Sequence, residues 1–315
     1  MTTAGRAPTS PAGAGAPSGR VADGREECSR PSTGWPVLGA RRELRAWATR
    51  ELAAAGCVSA QAEADWLLEE ATEGAGEPQG GAPVDRVEDA LRAMVARRVA
   101  GEPLQYVIGW APFGRLRLGV GPGVFVPRPE TEGLADRAAG HLRTAPEPRV
   151  GVDVCAGSGA IACFLAAEVP GARVLATELD PGALAWAAGN AERYGVELLA
   201  GDLDAPLPAE LAGRVDVLCA NVPYVPSGAI ATLPTDVRDH EPLLALDGGP
   251  DGLDVLRRLA PRAGHWLAPG GWLLCEIGED QADAAAALLT AAGLAEVAVH
   301  PDLAGRDRVL EGRRP

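Results

Sequence analysis

The sequence contains no run of about 18 apolar residues, the shortest stretch that lets a helix cross a membrane. It also lacks, near its N-terminus, the basic segment followed by an apolar one that marks a secretory signal. These two absences argue against a membrane protein and against export. We therefore expect a soluble, cytoplasmic protein with no membrane partner.

Closely spaced cysteines are missing as well. No Cys-x-x-Cys motif occurs, although structural zinc sites usually need such spacing. Several of the cysteines stand in apolar surroundings, which favours reduced thiols over disulfides. We expect no metal site from the six cysteines, which are Cys28, Cys57, Cys155, Cys163, Cys219 and Cys275.

Basic residues are scarce relative to acidic ones. The 29 Lys and Arg residues oppose 43 Asp and Glu residues, so the formal net charge is −14. Non-specific nucleic-acid binding depends on accumulated positive charge, and a stable nucleic-acid partner is therefore disfavoured. With 315 residues, 47% of them hydrophobic, the chain can bury the core of one large domain and one small domain.

Large apolar residues are almost absent from residues 1–34, which predicts a disordered extension. In residues 35–100 the apolar residues recur at steps of three and four, which predicts a small helical domain with a break near Gly56 and a third helix over Val87–Val99. The pattern leaves open whether this domain is only a scaffold or docks a substrate. Residues 101–123 then alternate in hydropathy through Leu116 and Leu118, which predicts a β-hairpin linker.

An extended segment, residues 124–132, leads from this linker into a helix that is predicted over Thr131–Leu142. Thr131 is the expected N-cap of that helix, because a threonine hydroxyl can accept a hydrogen bond from a free N–H of the first turn. Arg128 and Glu130 are charged and stand in the connecting segment. We expect them in a solvated turn rather than in a site.

Strands and helices alternate from Arg149 onward, which indicates an α/β, doubly wound, Rossmann-like sheet within a domain of residues 124–315. The strand Val150–Val154 contains Asp153 and runs into a tight turn that opens a helix. Glycines in such a turn let the backbone approach a ligand at the helix N-terminus. The turn consists of Cys155, Ala156, Gly157, Ser158 and Gly159.

Polar residues also follow the next three predicted strands. Glu178 ends the second strand, where a carboxylate can accept both hydroxyls of a ribose. Asp202 and Leu203 follow the third strand, in a position to flank a purine ring, and Asn221 follows the fourth. The carboxyl ends of parallel strands meet at one edge of a sheet, so these residues indicate one ligand site.

The segment Asn221–Pro226 has a composition suited to binding an amide. Its two prolines stiffen the chain and prevent the preceding strand from continuing. The Asn221 side-chain oxygen and a neighbouring backbone carbonyl provide two acceptors for the N–H bonds of a planar NH₂ group, and Tyr224 offers an aromatic face. This arrangement suits nitrogen methylation, although a strand followed by a simple proline turn has the same sequence.

Residues Asn221–Tyr224 resemble the Asn-Pro-Pro-Tyr signature of N-methyltransferases that use S-adenosylmethionine, with Val222 in place of the first proline. Together with other segments, they are similar to the protein-(glutamine-N5) methyltransferase family that modifies peptide chain release factors. The similarity covers roughly Leu44 to Arg313. Its further segments are residues 101–109, 126–132, 153–159, 241–242, 244–252, 269–278 and 302–308.

This resemblance implies S-adenosylmethionine as the cofactor and a release factor or similar protein as the substrate. It implies that the glutamine amide is clamped by Asn221, Val222, Pro223 and Tyr224. It implies cofactor contacts from Asp153, Cys155, Ala156, Gly157, Ser158, Gly159, Glu178, Asp202, Leu203 and Asn221. Cys155 stands where the family usually has glycine and Leu203 where an aromatic residue is frequent, which suggests a divergent member with weaker cofactor binding.

Two other functions share this fold. N6-adenine methylation of nucleic acid uses similar chemistry but fits poorly with the acidic charge. A protein that binds the cofactor without catalysis is the other alternative, supported by Val222 and Cys155. The sequence leaves the oligomeric state and the identity of the protein substrate open.

Overall fold

The computed structural model describes residues 38–74 and 84–315. The predicted disordered extension, residues 1–34, lies outside these ranges. Among the helices in the described ranges, none combines the length and the hydropathy needed to cross a membrane. Within the same ranges, no three His, Cys, Asp or Glu side chains lie together in a way that could hold a metal ion.

Three helices form the first unit of the chain: α1 Leu38–Ala54, α2 Ala60–Gly74 and α3 Val84–Val99. Leu44 and Leu52 of α1 are buried together with Leu67 of α2 and Leu91 of α3. These residues stand at the helical spacing that the sequence shows, so each helix turns one apolar stripe toward a shared core. Gly56 adopts φ +85° between α1 and α2, a conformation that glycine tolerates best.

A hairpin follows the helical unit, as the alternation in the sequence predicts. Its strands are β1 Trp110–Phe113 and β2 Leu116–Gly119, which pair antiparallel. A short helix, α4 Leu104–Ile108, precedes the hairpin and was not predicted, because five residues are too few to show a helical period. Val107 and Ile108 of α4 are buried in the core of the helical unit.

Glu70 of α2 fixes the hairpin to the helical unit. Its Oε2 atom accepts a hydrogen bond from Trp110 Nε1 at 2.9 Å and another from Arg117 Nη2 at 2.7 Å. The Arg117 guanidinium also lies over the Trp110 ring, 4.2 Å from its centroid, and Trp66 stacks on Trp110. One carboxylate and two aromatic rings thus join α2 to both strands.

In the described residues the larger sheet has seven strands in the order β5-β4-β3-β6-β7-β9-β8. Strands β3 to β7 run parallel to one another, and β9 lies antiparallel to both of its neighbours. The strands are β3 Val150–Val154, β4 Arg173–Glu178, β5 Glu197–Ala200, β6 Val215–Ala220, β7 Leu267–Glu276, β8 Ala295–Pro301 and β9 Asp307–Arg313.

Helices cover both faces of this sheet. On one face Leu134 and Ile161 belong to a buried cluster, and on the other face Leu256 and Leu289 belong to a second one. The predicted doubly wound α/β fold is therefore confirmed. The helices after the hairpin are α5 Pro129–Thr144, α6 Ala160–Glu168, α7 Pro181–Tyr194, α8 Thr235–Arg238, α9 Asp254–Trp266 and α10 Ala282–Ala291.

The strand order reverses at β3, because β4 lies on one side of it and β6 on the other. In open α/β sheets a crevice forms at such a reversal, outside the carboxyl ends of the strands. The residues that follow β3, β4 and β6 therefore meet at one edge of the sheet. This is the edge to which the sequence assigns the ligand site.

Helix α5 begins earlier than predicted, and the expected N-cap role of Thr131 is wrong. The helix starts at Pro129, and Arg128 occupies the N-cap position without a side-chain cap. Proline favours the first turn because its fixed φ suits a helix and its missing N–H would have no partner there. Thr131 consequently lies inside the helix, where it is 3% exposed.

Glu311 of β9 is a buried acceptor that ties α5 to the sheet. Its oxygens receive hydrogen bonds from His141 at 3.1 Å, from His300 at 2.9 Å and from Arg137 at 3.3 Å. Burial alone would raise the pKa of Glu311, but the hydrogen bonds from the two histidines and the charge of Arg137 hold it below the ordinary value. The folded protein therefore favours the ionised carboxylate.

Glu311→Gln should lower the free energy of unfolding at pH 7 by about 1–3 kcal/mol, because it removes charge-assisted hydrogen bonds from a buried acceptor. A carboxylate whose pKa is lowered by folding stabilises the protein above about pH 4.3, the ordinary value for glutamate, and loses this effect as the pH falls through the folded-state pKa. Urea unfolding of both proteins at pH 7 and pH 3 should show the difference shrink at pH 3.

Glu197→Gln is the matched control. Glu197 is exposed and pairs with Arg173 at 2.7 Å, so its replacement should change the free energy of unfolding by less than about 1 kcal/mol at either pH. An equal loss at pH 7 for both variants would contradict the special role of Glu311.

Candidate active site

A cavity of about 370 Å³ opens where the carboxyl ends of β3, β4 and β6 meet. Ten of the residues that the sequence assigns to the site line it. Asp153, Gly159 and Val222 are not among the residues that line it. The ten lining residues are Cys155, Ala156, Gly157, Ser158, Glu178, Asp202, Leu203, Asn221, Pro223 and Tyr224.

The loop after β3 brings backbone close to the cavity. Gly157 and Gly159 adopt φ +57° and +83°. A side chain at Gly157 would meet no atom within 4 Å, so its absence leaves open space in the cavity wall. Cys155 holds φ +58° although it is not a glycine, a conformation that is strained for a residue with a Cβ atom.

Glu178 at the end of β4 organises this loop. Its Oε2 accepts the N–H of Gly157 at 2.7 Å, and its Oε1 accepts the N–H groups of Leu179 and Asp180, each at 2.8 Å. The side chain is buried but reaches the cavity wall. Glu178 thus carries a structural task in addition to the ligand contact that the sequence predicts.

Asp153 is fully buried behind the loop. Its Oδ2 accepts the N–H of Ala162 at 3.1 Å, whereas its Oδ1 is buried without a partner among the described residues. Burial, with a smaller contribution from the charge of Glu178, raises the pKa of Asp153 to about 8. A neutral carboxyl group is therefore favoured at neutral pH while no cation lies near Oδ1.

Asp202 and Leu203 border the cavity at the end of β5. The Asp202 carboxylate pairs with Arg258 of α9. The Leu203 side chain is buried, and its carbonyl oxygen accepts the hydroxyl of Thr177 at 2.6 Å. Leu203 also adopts a positive φ, +49°, so the hydrogen bond holds a strained backbone in place.

Asn221 lies directly after β6 and belongs to a chain of hydrogen bonds. Its Nδ2 donates to Thr131 Oγ1 at 3.2 Å, and the Thr131 hydroxyl donates to Glu276 Oε2 at 2.6 Å. On the other side of the same carboxylate, the Tyr224 hydroxyl donates to Glu276 Oε1 at 3.0 Å. Two predicted site residues are thus connected through Thr131 and Glu276, which the sequence did not assign to the site.

Val222 turns its side chain away from the cavity and into the core, where it is 3% exposed. Its backbone carbonyl oxygen receives no hydrogen bond from any described residue, and neither does the Asn221 Oδ1 atom. Gln281 Nε2 donates to the Tyr224 carbonyl at 2.9 Å and so fixes the end of the segment. Two consecutive residues of this segment therefore each carry an acceptor that receives no hydrogen bond from the described part of the chain.

Burial affects the ionisation of Glu276 and Tyr224. The pKa of Glu276 is raised by burial, while hydrogen bonds from Thr131 and Tyr224 and the charge of Arg308 act in the opposite direction. Burial likewise raises the pKa of the Tyr224 hydroxyl, which stays protonated. Tyr224 can therefore act as a donor to Glu276 over the whole physiological range.

The expectation that Arg128 lies in a solvated turn is wrong. Arg128 lines the cavity and donates to Glu241 Oε1 at 2.6 Å. Its guanidinium also lies over the ring of Phe125, 4.9 Å from the centroid. Glu241 is almost fully buried, and burial raises its pKa to about 7 against the opposing charge of Arg128.

Sequence reasoning missed Thr131, Glu276 and the Arg128–Glu241 pair because each contact joins residues more than a hundred positions apart. Residues 126–132, 241–242 and 269–278 do belong to the segments that carry the family resemblance. That clustering was the only signal for them. Residue type alone does not separate such side chains from solvated ones.

Comparison with known proteins gives several relatives. None of the protein-family models compared with the chain matches it. The chain is 39% identical over 287 residues to the release factor glutamine methyltransferase of Geobacter sulfurreducens, a match that covers 88% of this chain and 98% of that protein. The same-named protein of Mycolicibacterium smegmatis is 41% identical, with 85% of this chain and 95% of that protein covered.

A third relative and one solved structure carry related names. The release factor glutamine methyltransferase of Streptomyces coelicolor is 45% identical over 70% of this chain and 79% of its own length. A solved release-factor-specific protein-(glutamine-N5) methyltransferase of Alicyclobacillus acidocaldarius is 30% identical, with 62% of this chain and 98% of that chain covered and a TM-score of 0.40. On the identities and coverages of the three sequence relatives, the chain belongs to the release factor glutamine methyltransferase family.

Proposed function

We propose that this chain transfers a methyl group from S-adenosylmethionine to the side-chain amide nitrogen of a glutamine in a peptide chain release factor. One observation carries the proposal: Asn221 lines the cavity, and its Oδ1 atom, like the carbonyl oxygen of the next residue, Val222, receives no hydrogen bond from a described residue. An amide NH₂ group has two N–H bonds that match two such acceptors. The names of the relatives support a glutamine of a release factor as the source of that amide.

The cavity fits S-adenosylmethionine, the cofactor of this family. Gly157 leaves open space beside the loop, and the Glu178 carboxylate stands at the cavity wall, where a ribose needs acceptors. The buried Asp153 Oδ1, which no described residue contacts through a hydrogen bond, suits a nearby positive charge, as on an amino acid ammonium group. Asp202 and Leu203 border the place for the adenine, and we assign Cys155, Ala156, Ser158 and Gly159 to the same loop contact.

The bound cofactor supplies an electrophilic methyl group on a sulfonium. An amide nitrogen is a weak nucleophile, so the contribution of the protein is to position and polarise it. Asn221 Oδ1 and the Val222 carbonyl oxygen would accept its two N–H bonds and hold the nitrogen in one orientation. Pro223 keeps the segment rigid, and Tyr224 offers its ring to the flat amide.

The proposed reaction also implies a protein partner, a cellular location and a role for each region of the chain. A release factor works in protein synthesis, so the proposal implies a cytoplasmic enzyme. We also propose that the helical region, residues 35–100, helps to dock the protein substrate, and that residues 124–315 form the catalytic domain. Adenine methylation of nucleic acid is not supported by the names of the relatives.

Methyl transfer in vitro tests the proposal. The full chain should move a labelled methyl group from S-adenosylmethionine to a purified release factor, and mass spectrometry should place it on one glutamine. DNA and RNA, assayed in parallel, should stay unlabelled. Labelling of nucleic acid alone would replace the proposal by adenine methylation, and cofactor binding without transfer to any of these would favour a protein that has lost catalysis.

Glu178→Gln should weaken S-adenosylmethionine binding by about 1–3 kcal/mol, because it removes a charged acceptor from the cavity wall. The variant should also melt at a lower temperature, because a glutamine amide offers one oxygen for the N–H groups that two carboxylate oxygens now accept. Calorimetry measures the affinity and a thermal scan the stability. Glu192→Gln, on the exposed side of α7, is the control that should change neither.

Asn221→Ala should lower the rate of methyl transfer by on the order of a hundredfold, the scale typical of losing one preorganised polar group. Its melting temperature should stay close to that of the wild type, because Asn221 is half-buried and gives up one side-chain hydrogen bond. If the Asn221→Ala variant methylates the release factor at the wild-type rate, a residue other than Asn221 holds the substrate amide.

Val222→Pro should keep most of the activity. The Val222 N–H makes no hydrogen bond to a described residue, and proline retains the carbonyl acceptor. The smaller ring fills less of the core around this position, so a modest loss of stability of about 1 kcal/mol is expected. Loss of turnover in a folded Val222→Pro protein would mean that the backbone at this position needs the valine conformation.

Cys155→Gly should be more stable than Cys155→Ala by about 1 kcal/mol, because a Cβ atom at a positive φ costs about that much. Both variants lose the thiol, so their difference isolates the backbone strain from the packing of the sulfur. Urea unfolding measures it. An alanine variant as stable as the glycine variant would show that the loop relaxes without cost.

A further inference from the structure

Thr131 connects Asn221 to Glu276 of β7 through its hydroxyl group. It lies in the first turn of α5, lines the cavity and is almost completely buried. A hydroxyl group has one proton to donate and two lone pairs to accept with. Because the Thr131 proton goes to Glu276 at 2.6 Å, the oxygen can meet Asn221 only as an acceptor.

This limits how the Asn221 amide can lie. With an acceptor at Thr131, the NH₂ end of the amide must face α5, at the observed 3.2 Å. The Oδ1 end then receives no hydrogen bond from a described residue, and it is the atom that the proposed function needs as an acceptor. A reversed amide would place two oxygens against each other at Thr131 and turn a donor toward the substrate.

Glu276 in turn sets the direction of the Thr131 proton. It ends β7, is 1% exposed, and accepts one hydroxyl at each oxygen, from Thr131 and from Tyr224. An ionised carboxylate has no proton of its own, so both hydroxyl groups must point toward it. Burial raises the pKa of Glu276, whereas the two hydroxyl hydrogen bonds and the charge of Arg308 favour its ionised form.

We infer that Thr131 and Glu276 are positioning residues that orient the Asn221 amide and the Tyr224 ring, so that the acceptor oxygen of Asn221 faces the substrate amide. The inference rests on the proposed function, because it needs a substrate that donates N–H bonds to Asn221. Neither residue touches the reacting atoms in this account. Both act through the hydrogen-bond direction that they impose.

Thr131→Val tests the positioning role of Thr131. Valine has nearly the shape of threonine and lacks the hydroxyl, so the Asn221 amide loses the acceptor that fixes its orientation. We expect kcat for release factor methylation to fall at least tenfold, with the KM for S-adenosylmethionine close to the wild-type value. The melting temperature should also fall, because the buried Glu276 carboxylate loses one of its two donors. Thr131→Ser restores the hydroxyl and should recover most of the lost kcat.

Thr290→Val is the matched control. Thr290 is exposed on α10, and its hydroxyl bonds the Ala286 carbonyl of its own helix at 2.9 Å. The chemical change is the same, and the Thr290 hydroxyl bonds its own helix rather than Asn221 or Glu276, so turnover should be unchanged. A purely structural role for Thr131 predicts a different pattern, in which the melting temperature falls and kcat of the folded fraction does not.

Glu276→Gln tests the positioning role of Glu276. The glutamine amide donates as well as accepts, so one of the two hydroxyl groups must reverse, and kcat should again fall at least tenfold. Because Glu276 is buried, this variant can lose stability too. If it does not fold, the comparison of Thr131→Val with Thr131→Ser decides the inference alone.

The outcomes separate this inference from the proposed function. A wild-type protein that leaves the release factor glutamine unmethylated overturns both. A wild type that methylates it, with Thr131→Val as active as wild type, overturns the inference and leaves the proposed function intact. Loss of kcat in Thr131→Val that Thr131→Ser does not recover also overturns it, because the hydroxyl would then not be the cause.

Discussion

The arrangement of the site depends on one buried carboxylate, that of Glu276, and on the hydrogen bonds that it accepts. Glu276 has almost no exposed surface, and a buried carboxyl group must be satisfied by donors or become neutral. The donors come from α5 and from the segment after β6, two parts of the chain that are distant in sequence. Packing of α5 on the sheet and placement of the segment after β6 therefore both depend on the Glu276 side chain.

Strain is concentrated in the loops that reach the cavity. Cys155 and Leu203 both hold a positive φ, and both stand where the sequence resemblance leads us to expect another residue type. Glycine at the first position would relieve the backbone, whereas an aromatic residue at the second would keep the strain and add a ring. The two departures therefore have different consequences. The first concerns the stability of the loop, and the second concerns the surface offered to a ligand.

The sequence predicts what depends on local pattern. Strand β3, helix α7 and the placement of Glu178 and Asn221 at strand ends follow from hydropathy and from glycine and proline positions. The sequence does not predict contacts between elements. Nothing local distinguishes the hydroxyl of Thr131, which bonds Glu276, from that of an N-cap. The charge of Arg128, which bonds Glu241, likewise looks like that of any solvated arginine.

The contact at Glu70 has a mechanical consequence. A hinge between the helical unit and the catalytic sheet would need freedom in the hairpin, but Trp110 and Arg117 share the Glu70 carboxylate and stack on each other. The helical unit is thus joined to the hairpin, and Asn190 of α7 joins the hairpin to the sheet domain through two hydrogen bonds to the backbone of Gly119. Movement of the helical unit relative to the cavity would have to break one of these sets of contacts. A folded protein of matching dimensions can touch the helical unit and the cavity at once, whereas a short glutamine peptide gains only what the cavity itself provides.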